Sequence, residues 1–216
     1  MLPCAALTQP VSIGIAGAVP ISSYSQSYGQ QCFTSQPALC GPNDLIARPF
    51  AAGPLVQARL PWNFSIEAGV LYQRFHRDIS LPLTIGRAGY IQYGQRTGVS
   101  AGGWLFPLQL RYTFGHRRLR PFVNAGATLR HLGVFEGDGL RLDFGIPANT
   151  LQPAHFRIAS GRDLDAAVTG GAGVLRRVGR VDLALEVRIL HWTSTYYQPA
   201  QDQAMLVLSV TFPAQR

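Results

Sequence analysis

The side chains best suited to catalysis in this sequence are histidines, of which there are five: His76, His116, His131, His155 and His191. His131 and His191 lie near the outer ends of two predicted strands, where a base could act on lipid. Ser194 would then be the nucleophile and Glu136 the group that orients a base. The spacing follows no pattern of a lipid-modifying enzyme, and histidines occur at membrane interfaces without chemistry. We therefore predict that the chain is not an enzyme.

No metal or cofactor site is predicted. Cys32 and Cys40 lie eight residues apart in a polar segment, which suits a loop disulfide in an oxidising compartment, with two unpaired cysteines as the alternative. A zinc site is not indicated, because CxxC spacing and a nearby histidine are both missing. The run Gly-Gly-Ala-Gly at 170–173 precedes no helix, so it favours strand curvature or bulky neighbours over phosphate binding.

The elements that position these side chains are strands. Eight segments alternate large apolar with small or polar residues, a period of two that gives a strand two different faces. They are residues 11–19, 48–60, 64–75, 104–114, 123–130, 164–178, 181–190 and 206–212. In the clearest segment, Val181, Leu183 and Leu185 alternate with Asp182, Ala184 and Glu186.

The connections between these segments alternate between long and short. The long connections are residues 20–47, 77–98, 136–162 and 193–203, and the short ones lie at 61–63, 115–120 and 179–180. Outer-membrane barrels place long loops outside and tight turns on the periplasmic side. We therefore predict an all-β protein, an eight-stranded antiparallel up-and-down transmembrane β-barrel over residues 11–213. Residues 1–10 are interpreted as a possible remnant of a signal peptide.

The composition favours a membrane protein that crosses the bilayer with β-strands. Only 14% of the 216 residues are charged, against roughly 25% in soluble domains. The sequence has no apolar stretch of about 18 residues, as a spanning helix requires. All nineteen basic residues are arginine, and the net charge is +8. Because the arginines are spread over strands, turns and loops, we predict no nucleic-acid partner.

The minority face of the strands collects charged residues that we predict to form a polar network in the lumen: Arg59, Glu67, Arg111, Arg130, Arg177, Glu186 and Arg188. An eight-stranded barrel is just wide enough for side chains to fill it, so charges inside must pair or be hydrated. We expect Glu67 and Glu186 to neutralise neighbouring arginines. A filled lumen is favoured over a pore.

Aromatic and basic residues near strand ends predict the membrane interfaces. The candidate interface aromatics are Trp62, Tyr72, Trp104, Tyr112 and Trp192. Arginines also cluster at the predicted periplasmic rim, where they could meet phospholipid head groups: Arg117, Arg118, Arg120, Arg176 and Arg180.

Two segments carry a resemblance to a known family. They are LPWNFSIEAGVLYQRF and WLFPLQLRYTFGHRRLRPFVNAGATLRHL, the second with Arg120-Pro121-Phe122 before a glycine-alanine strand. The chain resembles the eight-stranded bacterial outer-membrane barrel proteins of the outer-membrane protein A, X and W type. The resemblance implies location in the outer membrane, contact with its lipids and lipopolysaccharide, and folding by the outer-membrane assembly machinery. That machinery reads a terminal strand ending in an aromatic residue, and Phe212 matches this signal.

The function predicted from the sequence is structural or based on surface interaction, with contacts made by the long loops of a monomer. The alternative is a small passive channel or a conduit for a hydrophobic ligand. A soluble, lipocalin-like ligand binder is disfavoured, because the minority face is too charged for a lipid pocket and the apolar face too large for water.

Overall fold

The computed structural model describes residues 11–21, 27–28, 43–83, 93–115, 118–143, 150–158, 164–193 and 202–213. Within them the chain forms twelve strands, all paired antiparallel: β1 (Val11–Pro20), β2 (Ser27–Tyr28), β3 (Asn43–Arg59), β4 (Phe64–Gly69), β5 (Leu71–Leu83), β6 (Tyr93–Thr113), β7 (Leu119–Leu132), β8 (Phe135–Asp143), β9 (Thr150–Ile158), β10 (Leu164–Val178), β11 (Val181–Trp192) and β12 (Asp202–Pro213). No helix among the described residues has the length and apolar character needed to cross a membrane.

Nine of these strands close into an eight-stranded barrel, because β4 and β5 form one strand of the wall that is interrupted at Val70. Around the wall the order is β1, β3, β4 with β5, β6, β7, β10, β11 and β12. The barrel closes because β12 pairs with β1, with Phe212 opposite Ile13. The predicted all-β, eight-stranded antiparallel barrel is confirmed.

The barrel is apolar outside and polar inside. In β11 every even-numbered residue from Asp182 to Trp192 is buried, whereas Leu185 and Ile189 point outward and are exposed. In a protein surrounded by water, burying Glu186 inside would cost free energy, and so would exposing leucine on the outer face. The same distribution is favourable where lipid surrounds the wall, which is the arrangement of a membrane-spanning barrel.

Two tight turns at one end fit the strand geometry. Trp62 and Asn63 have φ values of 58° and 64°, and Gly179 has a φ of 61°. Positive φ at two successive central residues matches the twist of a hairpin, and asparagine tolerates it better than most residues. We call this the short-turn end, and the opposite end the long-connection end.

The strands extend further than predicted at the long-connection end. Most of the predicted loop 77–98 is strand, because β5 continues to Leu83 and β6 begins at Tyr93. The predicted loop 136–162 contains the hairpin of β8 and β9, which joins the wall where Glu136 pairs with Ser100. Backbone pairing alone is enough to continue a sheet, and in β5 the residues Ile79, Leu81 and Leu83 still alternate with Ser80 and Pro82.

Candidate functional site in the barrel lumen

The inward-facing charges form three groups at different heights. The central cluster contains Glu67, Arg111, Glu186 and Arg188. The lower cluster, near the short-turn end, gathers Arg59, Arg120 and Arg177 around Asp182. The upper pair is Arg130 with Asp165. Alternation along each strand turns all of these side chains inward, and closure of the wall brings distant strands together.

The central cluster pairs two acids with two bases. Glu67 Oε2 accepts a hydrogen bond from Arg111 at 2.7 Å, and Arg188 reaches Glu67 Oε1 at 3.4 Å. Glu186 accepts from Arg188 Nε at 2.6 Å and lies 3.5 Å from the Arg111 guanidinium. Arg111 is only 2% exposed. Charges removed from water to this degree require paired partners, so the cluster behaves as one unit.

Packing around the central cluster fixes its geometry. The Arg111 guanidinium lies 4.2 Å from the centre of the Phe122 ring, close enough for a cation–π interaction. Below the cluster, Phe122, Leu175 and Ala184 form a small apolar layer. Above it, a larger apolar group includes Leu105 and Leu190. The ion pairs are therefore enclosed between two apolar layers.

Gly171 leaves the space that the central cluster occupies. A Cβ atom at this position would lie 2.7 Å from Asn124 Oδ1 and 2.8 Å from Glu186 Oε1. At the adjacent Gly170, which faces outward, the nearest atom would be 3.8 Å away. Glycine at position 171 therefore leaves room for the bulky neighbouring side chains in the lumen, which is one of the two roles that the sequence indicated.

We expect Gly171→Ala to lower the free energy of unfolding by about 1–3 kcal/mol, because the added methyl overpacks the cluster. Gly170→Ala is the matched control and should change it by less than about 0.5 kcal/mol. Urea unfolding in lipid vesicles, followed by tryptophan fluorescence, measures both. Equal effects of the two substitutions would contradict this role for Gly171.

The upper pair is covered by a tryptophan that we expected elsewhere. Arg130 lies 2.7 Å from Asp165 Oδ2, and its guanidinium is 3.9 Å from the centre of the Trp192 ring. Trp192 Nε1 donates to Gln203 Oε1 at 3.2 Å, and its side chain is 1% exposed. The prediction of Trp192 as an interface aromatic is therefore wrong. The even-numbered face of β11 continues to residue 192 and turns the ring inward.

The lower cluster surrounds a buried acid that the predicted network omitted. Asp182 is 3% exposed and accepts hydrogen bonds from Arg59 and from Arg177, the latter at 3.0 Å from Arg177 Nε. Arg177 itself lies at the mouth, with its side chain half-exposed. Asp165 was also omitted. Both aspartates alternate in phase with the inward residues of their strands, and this parity was the signal that could have identified them.

The other four predicted interface aromatics lie on the outer surface in two groups. Tyr72 and Trp104 pack edge to face, with ring centres 5.1 Å apart, towards the long-connection end. Tyr112 packs on Phe64 at 4.9 Å near the short-turn end, where Trp62 is exposed in the turn. The eight residue steps from Trp104 to Tyr112 span about 27 Å of strand, or about 21 Å of height at a usual tilt. This approaches the roughly 25 Å apolar band of outer-membrane barrels.

The two histidines considered for catalysis, His131 and His191, are not brought together. His191 Nδ1 lies 2.7 Å from Asp202 Oδ1, whereas Glu136 pairs with Arg157 at 3.3 Å. His131 and His191 lie on opposite sides of β10 and face positions four residues apart on it, an offset of about 13 Å along the strand alone. Within the described residues, no group of three or more histidine, cysteine or acidic side chains could hold a metal ion.

The remaining predicted residues are either exposed on the surface or outside the described part of the chain. Phe212 points outward at the end of β12. Arg118, Arg176 and Arg180 are exposed at the short-turn rim. Residues 1–10, Cys32, Cys40, His116, Arg117 and Ser194 lie outside the described residues, so the disulfide remains a prediction.

The closed barrel, with its charged interior and apolar exterior, has the fold class of the outer-membrane β-barrels. Neisserial surface protein A has a similar structure, with a TM-score of 0.45, 11% identity, and coverage of 94% of this chain and 97% of that one. Ail, the attachment invasion locus protein of Yersinia pestis, is similar with a TM-score of 0.41 and 8% identity, over 94% of this chain and 96% of that one. The N-terminal β-barrel domain of Pseudomonas aeruginosa OprF is similar with a TM-score of 0.37 and 12% identity, over 93% of this chain and 96% of that one.

These resemblances concern the overall fold, and the identities are too low to carry a function to this chain. No protein-family model matches the sequence. No curated protein matches it either.

Proposed function

We propose that this protein is an outer-membrane barrel with a structural or surface-interaction role, in which the wall anchors the chain and the long-connection end makes the contacts. The filled lumen carries this proposal. Side chains of the central cluster and of the upper pair are almost completely buried, and apolar layers separate them. Such a barrel offers rigidity and a position in the membrane rather than a path for solutes.

The contact surface is proposed from the height of the wall. β6 begins at Tyr93, eleven residues before Trp104, and therefore extends about 37 Å along the strand beyond the upper aromatic group. β5 pairs with this stretch as far as Leu83, and the hairpin of β8 and β9 lies beside it. By contrast, β7 ends at Leu132 and β11 at Trp192. One side of the wall therefore rises above the membrane as a sheet that a partner could contact.

Four of the five exposed side chains that the structure describes in the β8–β9 hairpin are polar, the fifth being Pro153. Arg157 pairs with Glu136 at 3.3 Å, and His155 Nδ1 lies 2.9 Å from Asp138 Oδ1. All four are largely exposed, which suits a hydrated surface outside the lipid. Phe135, the first residue of β8, is buried.

Conductance separates this role from that of a passive channel. We expect the purified chain, reconstituted in planar bilayers, to show no steady conductance steps, because the central cluster, the upper pair and two apolar layers fill the lumen. The control is Arg111→Ala with Phe122→Ala, which removes bulk from the central level and should introduce small steps. Steady steps in the unmodified protein would overturn the proposal in favour of a channel.

A further inference from the structure

The lower cluster opens into a vestibule at the short-turn end. The vestibule has a volume of about 330 Å³, at the lower end of the range for small-molecule sites. Its lining includes Gln57, Arg59, Ser65, Arg120 and Asp182. At its inner end, Gln57 Nε2 donates to Ser65 Oγ at 2.9 Å, and the layer of Phe122, Leu175 and Ala184 lies beyond. The vestibule is therefore a blind pocket rather than the entrance to a pore.

The charge of this pocket is not balanced. Arg59, Arg120 and Arg177 surround the single carboxylate of Asp182, which leaves an excess of two positive charges. The central cluster, by comparison, holds two acids and two bases. Arg59 and Arg177 both donate to Asp182. Arg120 lies 3.9 Å from Asp182 Oδ1, beyond hydrogen-bonding distance, so this carboxylate does not occupy its donors.

We propose that the vestibule binds a phosphate group, carried either by a soluble ligand or by a lipid head group. The planar fork of a guanidinium matches the oxygens of a phosphate, and a partly enclosed pocket strengthens the interaction relative to water. Arg120 and Arg59 line the pocket and would contact the anion directly, with Ser65 as a further donor. Asp182 also lines the pocket, and its carboxylate is occupied by the hydrogen bonds that it accepts from Arg59 and Arg177.

Calorimetric titration of the full chain in a neutral detergent with inorganic phosphate tests this site. We expect measurable binding to the unmodified protein and a loss of affinity of about tenfold or more for Arg120→Gln, in keeping with the energy of a charged hydrogen bond. Arg118→Gln is the matched control, because Arg118 is an exposed rim arginine that does not line the pocket. It should change the affinity by less than about twofold. Arg120→Lys keeps the charge and should retain part of the binding.

A second arm identifies the source of the phosphate. Native mass spectrometry from bilayers of phosphatidylcholine with phosphatidylglycerol would show a retained lipid that Arg120→Gln loses, if a head group is the ligand. Binding of inorganic phosphate without a retained lipid would indicate a soluble phosphorylated ligand. Equal losses for Arg118→Gln and Arg120→Gln, or no binding in either arm, would overturn the proposal. Heat-dependent migration of each variant on a gel checks that the barrel has folded.

Discussion

Leu108→Arg is expected to lower the free energy of unfolding by about 2–4 kcal/mol in lipid bilayers, the cost of an arginine on the lipid face near the middle of a membrane. Leu108 lies midway between Trp104 and Tyr112 on β6 and is 56% exposed. In a soluble barrel the same exposed position would tolerate arginine to within about 0.5 kcal/mol. The substitution therefore reports on the medium that surrounds the wall.

The chain offers a closely matched control for this prediction. Leu119 is also 56% exposed, but it lies at the first residue of β7, opposite Arg176 at the short-turn rim. Leu119→Arg should cost only about 0–1 kcal/mol, because arginine reaches the head groups from there. Denaturant titration of both variants in lipid vesicles gives the comparison. Equal and negligible effects would contradict a lipid-facing wall.

Glu186→Gln is expected to destabilise the barrel by about 3–5 kcal/mol, as happens when one partner of a buried ion pair is removed. Glu186 is bound to Arg188 at 2.6 Å and lies near Arg111 at 3.5 Å. With the carboxylate neutralised, Glu67 alone must compensate both buried guanidiniums. The effect is measured as the shift in free energy of unfolding by denaturant titration.

A double substitution tests whether the loss comes from unbalanced charge. Glu186→Leu with Arg188→Met removes both partners, and Arg111 keeps Glu67 at 2.7 Å. We expect this double variant to recover much of the stability that Glu186→Gln loses. Glu136→Gln breaks the exposed pair with Arg157 and should cost less than about 1 kcal/mol. If Glu186→Gln cost no more than Glu136→Gln, the central cluster would not be the coupled unit described above.

Strand alternation made most of the wall predictable. The period of two assigned the faces of β11 from Val181 to Leu190, because each residue's environment is set by its own parity. The same parity extends to Trp192, which was instead placed by analogy with aromatic girdles. Parity outweighs residue type here because a tryptophan ring that stacks on Arg130 and donates to Gln203 is satisfied inside.

Partnerships across the lumen could not be predicted. Glu67 and Arg188 come from strands more than a hundred residues apart, and their 3.4 Å contact depends on the stagger between strands when the wall closes. The upper extensions were missed for a different reason. Ile79, Leu81 and Leu83 do alternate with Ser80 and Pro82 in the extension of β5, but the run is short and contains a proline, which is disfavoured inside a sheet. The lower cluster was not predicted, because Asp182 was assigned to the inner face but was left out of the network with the arginines that bind it.

The barrel encloses its charged face, and we infer that its apolar outer face meets lipid. The most direct test is to express the chain behind a signal peptide in a Gram-negative bacterium, fractionate the membranes, and run the purified protein on a gel with and without boiling. We expect the protein in the outer-membrane fraction, with faster migration of the unboiled sample, as compact detergent-resistant barrels show. A soluble periplasmic protein with no heat-dependent shift would contradict the account and require the apolar face to meet something other than a bilayer.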